Sequence, residues 1–147
     1  MKHVCQAYPK TPSPCICLNM KRASRAVTSF YDEVLKPSGL TIAQLALLRH
    51  VELTDKATIS ELAKAMRIDR TTLNRNMKPL TDSALIKISP GKDSRTREIM
   101  LTDAGKAAAA SGWKLWGEAQ KAIKEYLGDN DLANLNQLLA KLEALVP

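Results

Sequence analysis

The feature that most constrains the fold is a pair of short amphipathic helices predicted within residues 58–85. Thr58 and Glu61 have the spacing of a capping box, in which a hydroxyl and a carboxylate each bind a backbone N–H at a helix start. Apolar residues then recur at helical spacing in the first helix, namely Ile59, Leu62, Ala63 and Met66. After a turn at Arg67 and Ile68, Asp69 is placed to cap a second helix. Two helices joined by so short a turn predict a helix-turn-helix corner.

The second helix combines an apolar stripe with a polar face. Leu73, Met77 and Leu80 recur at helical spacing and predict the buried side, while Pro79 predicts a kink or an early end. The other face carries side chains that can hydrogen-bond base edges as well as phosphates, namely Arg70, Thr71, Thr72, Asn74, Arg75 and Lys78. Taken alone, this face fits a solvated helix surface as well as a DNA-reading one.

A basic β-hairpin is predicted directly after these helices. Residues 85–89 and 97–101 alternate in the manner of strands on either side of a Pro-Gly turn. Residues 64–97 contain nine Lys or Arg and three Asp, so this segment holds +6 of the chain's net charge of +7. Charge concentrated in this way favours a nucleic-acid surface over a membrane surface, because no basic amphipathic stretch with large apolar residues accompanies it. The order of elements predicts a mainly α (α+β) fold, a winged helix-turn-helix.

Further helices are predicted on both sides of this unit. We expect an irregular arm at residues 1–14, a helix at residues 15–36, a helix opened by a capping box at Thr41 and Gln44, and a long helix capped by Thr102. Gly112 and Gly117 within the long helix predict the close approach of another backbone. Gly128 and Asp129 are expected to end that helix and to cap the next one.

The last predicted helix carries a narrow leucine seam, formed by Leu132, Leu135, Leu138 or Leu139, Leu142 and Leu145. A seam of this kind needs a partner helix in the same chain or in a second subunit. We therefore predict one domain over residues 1–147. Within it, residues 38–102 form the winged-helix unit, and residues 15–36 and 103–147 form N- and C-terminal dimerisation helices.

Composition and motifs exclude several classes of protein. No apolar run follows the basic residues at the N-terminus, and no segment is long enough to cross a membrane, so we expect a cytoplasmic protein with reduced cysteines. Its two histidines have no Ser/His/Asp or paired-carboxylate arrangement around them. We therefore expect neither an enzyme nor a cofactor.

The chain resembles the MarR family of bacterial transcriptional regulators between residues 15 and 145. The most specific match is DSRTREIMLT at residues 93–102, which is similar to the family's wing signature D-x-R-x-x-x-[VI]-x-L-T. Residues 66–73 are similar to its turn and the start of its recognition helix. Residues 80–85 resemble its L-x-x-x-G-L exit, although Ala84 stands where glycine is usual.

The resemblance implies a homodimer that binds double-stranded DNA at a pseudo-palindromic operator under the control of a small molecule or an oxidant, and we expect a repressor. It also implies that Arg95 reaches into the minor groove while Asp93 holds its guanidinium, and Lys92 and Arg97 complete the basic wing. The alternative from another class is a winged helix that only docks other proteins. The wing arginines and the concentrated charge argue against that alternative.

Cys15 and Cys17 stand at the predicted start of the first helix, where the helix dipole favours a thiolate. Thiol-based peroxide sensors in the resembled family carry a reactive cysteine near this point, which matches Cys17. Tyr31 matches one of the two tyrosines that hold that cysteine, and Lys21 replaces the other. We expect a bridge from Cys17 to Cys15 or Cys5 to form between subunits and not between Cys15 and Cys17 of one chain, because positions two apart on a helix point to different faces.

Two further interpretations of the cysteines stay open. They are compatible with small, inert packing residues, and also with metal ligands acting together with Cys5 and with His3 or His50, although the spacing of the remaining ligands is not one that metal sites use. We therefore predict no metal site. His50 and Trp113 are candidates to line an effector pocket, although an ordinary helix histidine and a tryptophan in the core or in a dimer contact are the favoured interpretations.

Overall fold

The structure, a computed structural model of the chain, describes residues 10–54, 56–93 and 95–145. Within these ranges the elements follow one another as α1 (Ile16–Leu35), a single 3-10 turn (Lys36–Ser38), α2 (Ile42–Leu53), β1 (Ala57–Thr58), α3 (Ile59–Met66), α4 (Arg70–Asp82), β2 (Ile86–Pro90), β3 (Arg97–Leu101), α5 (Asp103–Leu127) and α6 (Asp129–Glu143). This is the mainly helical fold with a small sheet that the sequence predicts, a winged helix with long helices on both sides.

Side-chain caps explain where most of the helices begin. Thr41 and Thr58 each form the complete capping box that the sequence predicts. Asp69 and Thr102 each accept a hydrogen bond from the N–H of the third residue of α4 and α5. These bonds satisfy N–H groups that have no partner inside the helix, so the local sequence defines each start.

The hairpin belongs to a three-stranded antiparallel sheet in which β3 is central. β2 pairs with one edge of β3, with Ile88 opposite Ile99. β1 pairs with the other edge, with Ala57 opposite the same residue. The sequence analysis missed β1 because two residues are too short to display a strand period. Since α3 starts directly after β1, the sheet fixes the wing to the beginning of the helix pair.

One hydrophobic core joins the winged-helix unit to α1 and α5. Its fully buried large side chains are Leu35, Leu45, Leu47, Leu48, Leu62, Leu73, Leu80 and Ile99. The predicted stripe of α4 is confirmed, since Leu73, Met77 and Leu80 are all buried. On α2, Leu45, Leu47, Leu48 and Val51 are buried, and this helix contacts α4, α5 and β3.

Two helix ends differ in detail from the sequence prediction. Of the kink or early end predicted at Pro79, the early end does not occur, since α4 continues to Asp82, and the kink stays a prediction. Both Pro79 and Arg75, whose carbonyl would have received the missing proline N–H, are exposed, so water can satisfy that carbonyl. Asp129 is the first residue of α6 and not its cap, because Gly128 occupies the capping position without a side-chain hydrogen bond.

The expectation of a backbone close to Gly112 and Gly117 was also wrong within the chain. A Cβ on Gly112 would meet the side chain of Leu40 at 3.3 Å, not a backbone atom, and at Gly117 nothing lies within 4 Å. The close approach occurs instead at Gly105, where a Cβ would lie 2.9 Å from the carbonyl carbon of Leu85. Gly105 therefore allows the start of α5 to pack on the start of β2.

Ala84 adopts a positive φ of 54° at the exit from α4. This is the left-handed region, which glycine enters without steric cost, and it explains why glycine is usual at this place in the family that the sequence resembles. The conformation directs the Ala84 carbonyl to the hydroxyl of Thr102, which donates to it at 2.7 Å.

α1 and α6 leave apolar side chains at the surface of the single chain. Every described residue of α6 is at least partly exposed, and Leu138 is 58% exposed. On α1, Ile16 is 64% exposed and Val27 is 47% exposed. The assignment of residues 15–36 and 103–147 to dimerisation stays a prediction.

Most of the predicted arm lies outside the described residues. In the part of the chain that is described, no helix is both long enough and apolar enough to span a membrane.

Candidate nucleic-acid interface

The first half of α4 presents polar side chains on the side opposite to the core. Arg70, Thr71, Asn74 and Arg75 are exposed, whereas Leu73 between them is fully buried. The buried stripe packs against α2, and α4 also contacts α3 and β2. A helix held in this way offers a continuous polar face of the kind that enters a DNA major groove.

Asp69 holds the start of α4 through two hydrogen bonds from Thr72. Its carboxylate accepts the Thr72 hydroxyl at 2.7 Å and the Thr72 backbone N–H at 2.8 Å. These bonds, chiefly the one from the hydroxyl, lower the pKa of Asp69 below its usual value because they favour the charged form. Thr72, predicted as a base contact, is therefore also the partner of the cap, and its hydroxyl proton is engaged.

Lys78 lies one helical turn before Asp82, and its Nζ is 2.7 Å from a carboxylate oxygen of that residue. Both side chains are more than half exposed, so the pair is weak and can be exchanged for another anion. A contact between Lys78 and a phosphate therefore has to displace Asp82.

The tip of the wing is closed by backbone hydrogen bonds. The N–H of Gly91 donates to the carbonyl of Thr96 at 2.9 Å, and the N–H of Thr96 donates to the carbonyl of Asp93 at 2.9 Å. The carboxylate of Asp93 accepts the backbone N–H of Arg95 at 3.1 Å, and not the guanidinium that the family resemblance implies. Lys92, Asp93 and Arg95 are exposed, whereas Gly91 and Thr96 are half-buried.

The wing and α4 meet across a cleft of about 340 Å³. The cleft is lined by Thr58, Ile59, Ser60, Arg70, Asn74, Arg95, Thr96 and Arg97. The Arg70 guanidinium donates to the hydroxyl of Ser60, which holds that arginine over the start of α3. Among the described residues three arginines and no carboxylate line the cleft, so it has the chemistry of a site for anions such as phosphate.

The cleft brings together residues that the sequence analysis chose separately. Arg70 and Asn74 come from the recognition-helix pattern, and Arg95 and Arg97 come from the wing. Thr71, Thr72, Arg75, Lys78, Lys92 and Asp93 lie on the same two elements but do not line it. The sequence analysis missed Ser60 and Thr96, since neither belongs to a periodic pattern and only the fold places them beside the arginines.

Two of the redox candidates, Cys17 and Tyr31, lie far apart along α1. Cys15 and Cys17 are exposed free thiols. Tyr31 is fourteen residues beyond Cys17 on α1, a separation of about 21 Å at the rise of an α-helix. It donates instead to Gln120 at 2.9 Å, and burial raises its pKa. Within one chain Tyr31 therefore cannot hold Cys17, and this part of the sensor comparison is not met by a single subunit.

Cys15 does not lie on the helix with Cys17. It is the N-cap of α1 with an extended backbone (φ −84°, ψ 110°), and Cys17 is the second helical residue. The argument that the two thiols point to different faces of a helix therefore does not apply to this pair. Among the described residues, no group of three or more His, Cys, Asp or Glu is arranged to hold a metal ion. Cys5 and His3 lie outside them.

The two effector-pocket candidates occupy different environments. His50 is half-buried, and its Nδ1 lies 2.8 Å from the carbonyl of Ala46 in the same helix. Trp113 packs edge-to-face against Trp116 with 4.6 Å between ring centroids, and the Arg49 guanidinium lies 5.5 Å from the Trp113 ring. The structure thus places Trp113 in an aromatic and cationic cluster between α2 and α5. A role for either residue in binding an effector stays a prediction.

Comparisons with known proteins agree with this geometry. A sequence model of the MarR family matches residues 38–96. The structure of the transcriptional regulator MosR of M. tuberculosis in complex with DNA is 35% identical, covers 87% of this chain and 98% of its own, and superposes with a TM-score of 0.72. A mutant of MarR from E. coli complexed with operator DNA is 24% identical, covers 90% of this chain and 95% of its own, and superposes with a TM-score of 0.77. At that identity the second comparison bears on the fold alone.

A curated relative gives the same assignment over a shorter region. The HTH-type transcriptional regulator TcaR of Staphylococcus aureus is 28% identical over 85 residues, which are 56% of this chain and 56% of TcaR. The chain thus spans little more than half the length of that relative. The matched proteins are regulators of transcription, which confirms the expectation that the chain is not an enzyme. With its wing signature, its fold and a 35% identical relative matched over nearly its whole length, the chain belongs to the MarR family of transcriptional regulators.

Proposed function

We propose that this chain binds double-stranded DNA as a homodimer at a pseudo-palindromic operator and represses transcription. The observation that carries the proposal is the cleft in which Arg70 and Asn74 of α4 face Arg95 and Arg97 of the wing. Because recognition helix and wing share one basic surface, α4 can enter the major groove while the wing follows the backbone into the adjacent minor groove. The structure of MosR in complex with DNA, at 35% identity, supports DNA binding by this chain.

The homodimer is supported by the exposed apolar faces of α1 and α6. Leu138, Leu142 and Ile16 are among the large apolar side chains that the single chain leaves exposed. Contiguous apolar surface on a soluble chain marks an interaction site. A second copy presents the same two helices, so a two-fold axis can cover both faces and can place two recognition helices about one DNA turn, roughly 10 bp, apart.

The test of DNA binding starts by selecting bound duplexes from random-sequence DNA with the wild-type protein. We expect symmetric half-sites and an affinity that decreases with salt. Arg95→Ala should weaken binding by roughly 1–3 kcal/mol and relax the preference for A·T pairs in the flanks, whereas Lys92→Ala should weaken binding to all sequences and reduce the salt slope by about one.

Two results would contradict the proposal. A protein that selects no sequence and associates weakly with DNA at every salt concentration would be a protein-docking module. If Arg95→Ala left binding unchanged while Lys92→Ala abolished it, the division of roles within the wing would be wrong.

The control of DNA binding, by a small molecule or by thiol oxidation, is part of the proposal. Both Cys15 and Cys17 are exposed at the start of α1, which supports access by an oxidant. A titration of DNA binding with and without an organic hydroperoxide, on the wild type and on Cys17→Ser, tests this route. Loss of binding in the wild type alone supports oxidation. Equal binding in all four samples directs the search to an effector near Trp113.

A further inference from the structure

The wing carries an interaction that neither its signature nor the cleft explains. The Thr96 hydroxyl donates to the Asp93 carbonyl at 2.9 Å, and the Thr96 backbone N–H donates to the same oxygen at 2.9 Å. Thr96 also accepts the Gly91 N–H through its carbonyl. We call these bonds among Gly91, Asp93 and Thr96 the wing clasp. They join the two strand ends to the turn between them.

A residue larger than glycine does not fit at position 91, because the Thr96 hydroxyl occupies the space that its Cβ would need. A Cβ built on Gly91 would lie 3.2 Å from the Cβ of Thr96 and 3.3 Å from its carbonyl oxygen, and closer still to its hydroxyl. The φ of Gly91 is not positive, so its backbone would accept alanine. The requirement for glycine is therefore one of space for the hydroxyl.

Thr96 stands between the two wing arginines and shares their surface. Arg95 and Arg97 are exposed, Thr96 is half-buried, and all three line the cleft with Asn74. Because the Asp93 carboxylate accepts the Arg95 N–H and the Asp93 carbonyl accepts the Thr96 hydroxyl, the backbone N–H of Arg95 is linked to Thr96 through Asp93 before DNA arrives. An ordered loop loses less conformational entropy on binding than a free one.

We propose that Thr96 is a positioning residue that sets the direction of Arg95, and thereby the wing's preference for narrow A·T-rich minor grooves. This inference rests on the proposed DNA-binding function. Thr96 does not need to touch DNA, because it acts through the backbone of Asp93 and Arg95. To distinguish narrow from wide minor grooves, the Arg95 guanidinium must have a defined orientation. General attraction to phosphates requires only its charge.

The experiment uses the full chain and two duplexes that share a core selected from random DNA by the wild type. One duplex has only A·T pairs in the flanks that the wing reaches, and the other has only G·C pairs. Thr96→Val removes the hydroxyl at nearly constant shape, Thr96→Ser retains it, and Gly91→Ala displaces it. Thr81→Val is the matched control, since the Thr81 hydroxyl also donates to a backbone carbonyl, that of Met77 at 3.1 Å in α4.

We expect Thr96→Val to bind the A·T-flanked duplex about threefold to tenfold more weakly, the range given by the loss of the one hydrogen bond that the hydroxyl donates. Its affinity for the G·C-flanked duplex should stay within about twofold of the wild type, because its charge is unchanged. Gly91→Ala should behave in the same way, while Thr96→Ser and Thr81→Val retain the wild-type preference.

The possible results of this experiment distinguish a failure of the wing-clasp proposal from a failure of the proposed DNA-binding function. If the wild type binds neither duplex, the proposed function fails and the wing clasp fails with it. If the wild type prefers A·T flanks and Thr96→Val or Gly91→Ala keeps that preference, only the wing clasp is refuted. It is also refuted if Thr96→Val weakens both duplexes equally, or if Thr96→Ser loses the preference, because the hydroxyl would then not be the cause.

Discussion

Gly105→Ala should destabilise the fold by several kcal/mol, although alanine is normally the better helix former. Gly105 is the third residue of α5, and the Cβ of alanine would lie 2.9 Å from the carbonyl carbon of Leu85 and 3.4 Å from its Cα. These are backbone atoms, so no rotamer change relieves the overlap. The start of α5 has to move away from β2 instead.

The magnitude follows from what that movement breaks. The Leu85 carbonyl accepts the Thr102 N–H at 3.1 Å, and the Thr102 hydroxyl donates its one proton to the adjacent Ala84 carbonyl at 2.7 Å. Overpacking costs about 1–3 kcal/mol, and each hydrogen bond contributes about 1 kcal/mol. The gain in helix propensity is at most about 1 kcal/mol. The net loss is about 2–4 kcal/mol, and at roughly 2–4 °C per kcal/mol for a chain of this size Tm should decrease by about 4–16 °C.

Urea unfolding followed by circular dichroism measures this loss, with Gly117→Ala as the control in the same helix. Nothing lies within 4 Å of a Cβ at Gly117, so the same substitution should be neutral or stabilising by up to about 1 kcal/mol. Equal stability of Gly105→Ala and the wild type would refute the close approach. If both variants lost stability equally, the cause would be general to α5 and not the contact with Leu85.

Two further predictions concern the ends of α4. Asp69→Ala removes the cap and should lower Tm and DNA affinity. Because the folded pKa of Asp69 lies below the unfolded value, the stabilisation by this carboxylate is present above the unfolded pKa and is lost as the pH decreases through the folded one. Asp69→Ala should therefore show a weaker loss of Tm on acidification than the wild type. Ala84→Gly should raise the free energy of unfolding by about 1 kcal/mol, because φ at this residue is 54°. An unchanged urea midpoint would contradict it.

The features that the sequence predicted are those that depend on nearby residues. The cap at Asp69 needs only Thr72. The stripe of Leu73, Met77 and Leu80 needs only a helical period. Both features therefore depend on residues within one or two helical turns of each other. The boundaries of β3 and of α5 followed for the same reason.

What the sequence did not predict depends on contacts between distant segments. Ser60 reaches Arg70 only because the corner folds α4 back over the start of α3. Gly105 and Leu85 meet only because the β2–β3 hairpin brings the start of α5 back beside Leu85, the residue just before β2. The distance between Cys17 and Tyr31, fourteen positions apart, could not be judged from a motif match either. It became decisive because both residues lie on one helix, α1.

The leucine seam of α6 leads to a prediction about assembly. Leu138 is 58% exposed in the single chain, so Leu138→Glu should cost the fold of one subunit little. In a symmetric dimer the substitution removes a buried leucine from each of the two subunits. Full burial of a leucine contributes about 1.5–3 kcal/mol, so burial of the exposed 58% of Leu138 contributes about 1–2 kcal/mol per copy and about 2–4 kcal/mol for two copies. At 1.4 kcal/mol per tenfold change, the dimer dissociation constant should rise by about one to three orders of magnitude.

The control for this experiment is Gln137→Glu, which adds the same charge next to Leu138. Residues 137 and 138 are about 100° apart around the helix, and Gln137 points away from the seam. Sedimentation equilibrium should give a dimer for the wild type and for Gln137→Glu, and a monomer for Leu138→Glu at micromolar concentration. DNA affinity should follow the dimer, since one subunit reaches one half-site only. If Leu138→Glu stayed dimeric, the seam would not be part of the dimer contact. If it were monomeric and still bound the full operator with wild-type affinity, each subunit would recognise DNA alone, and the two-fold arrangement would be wrong.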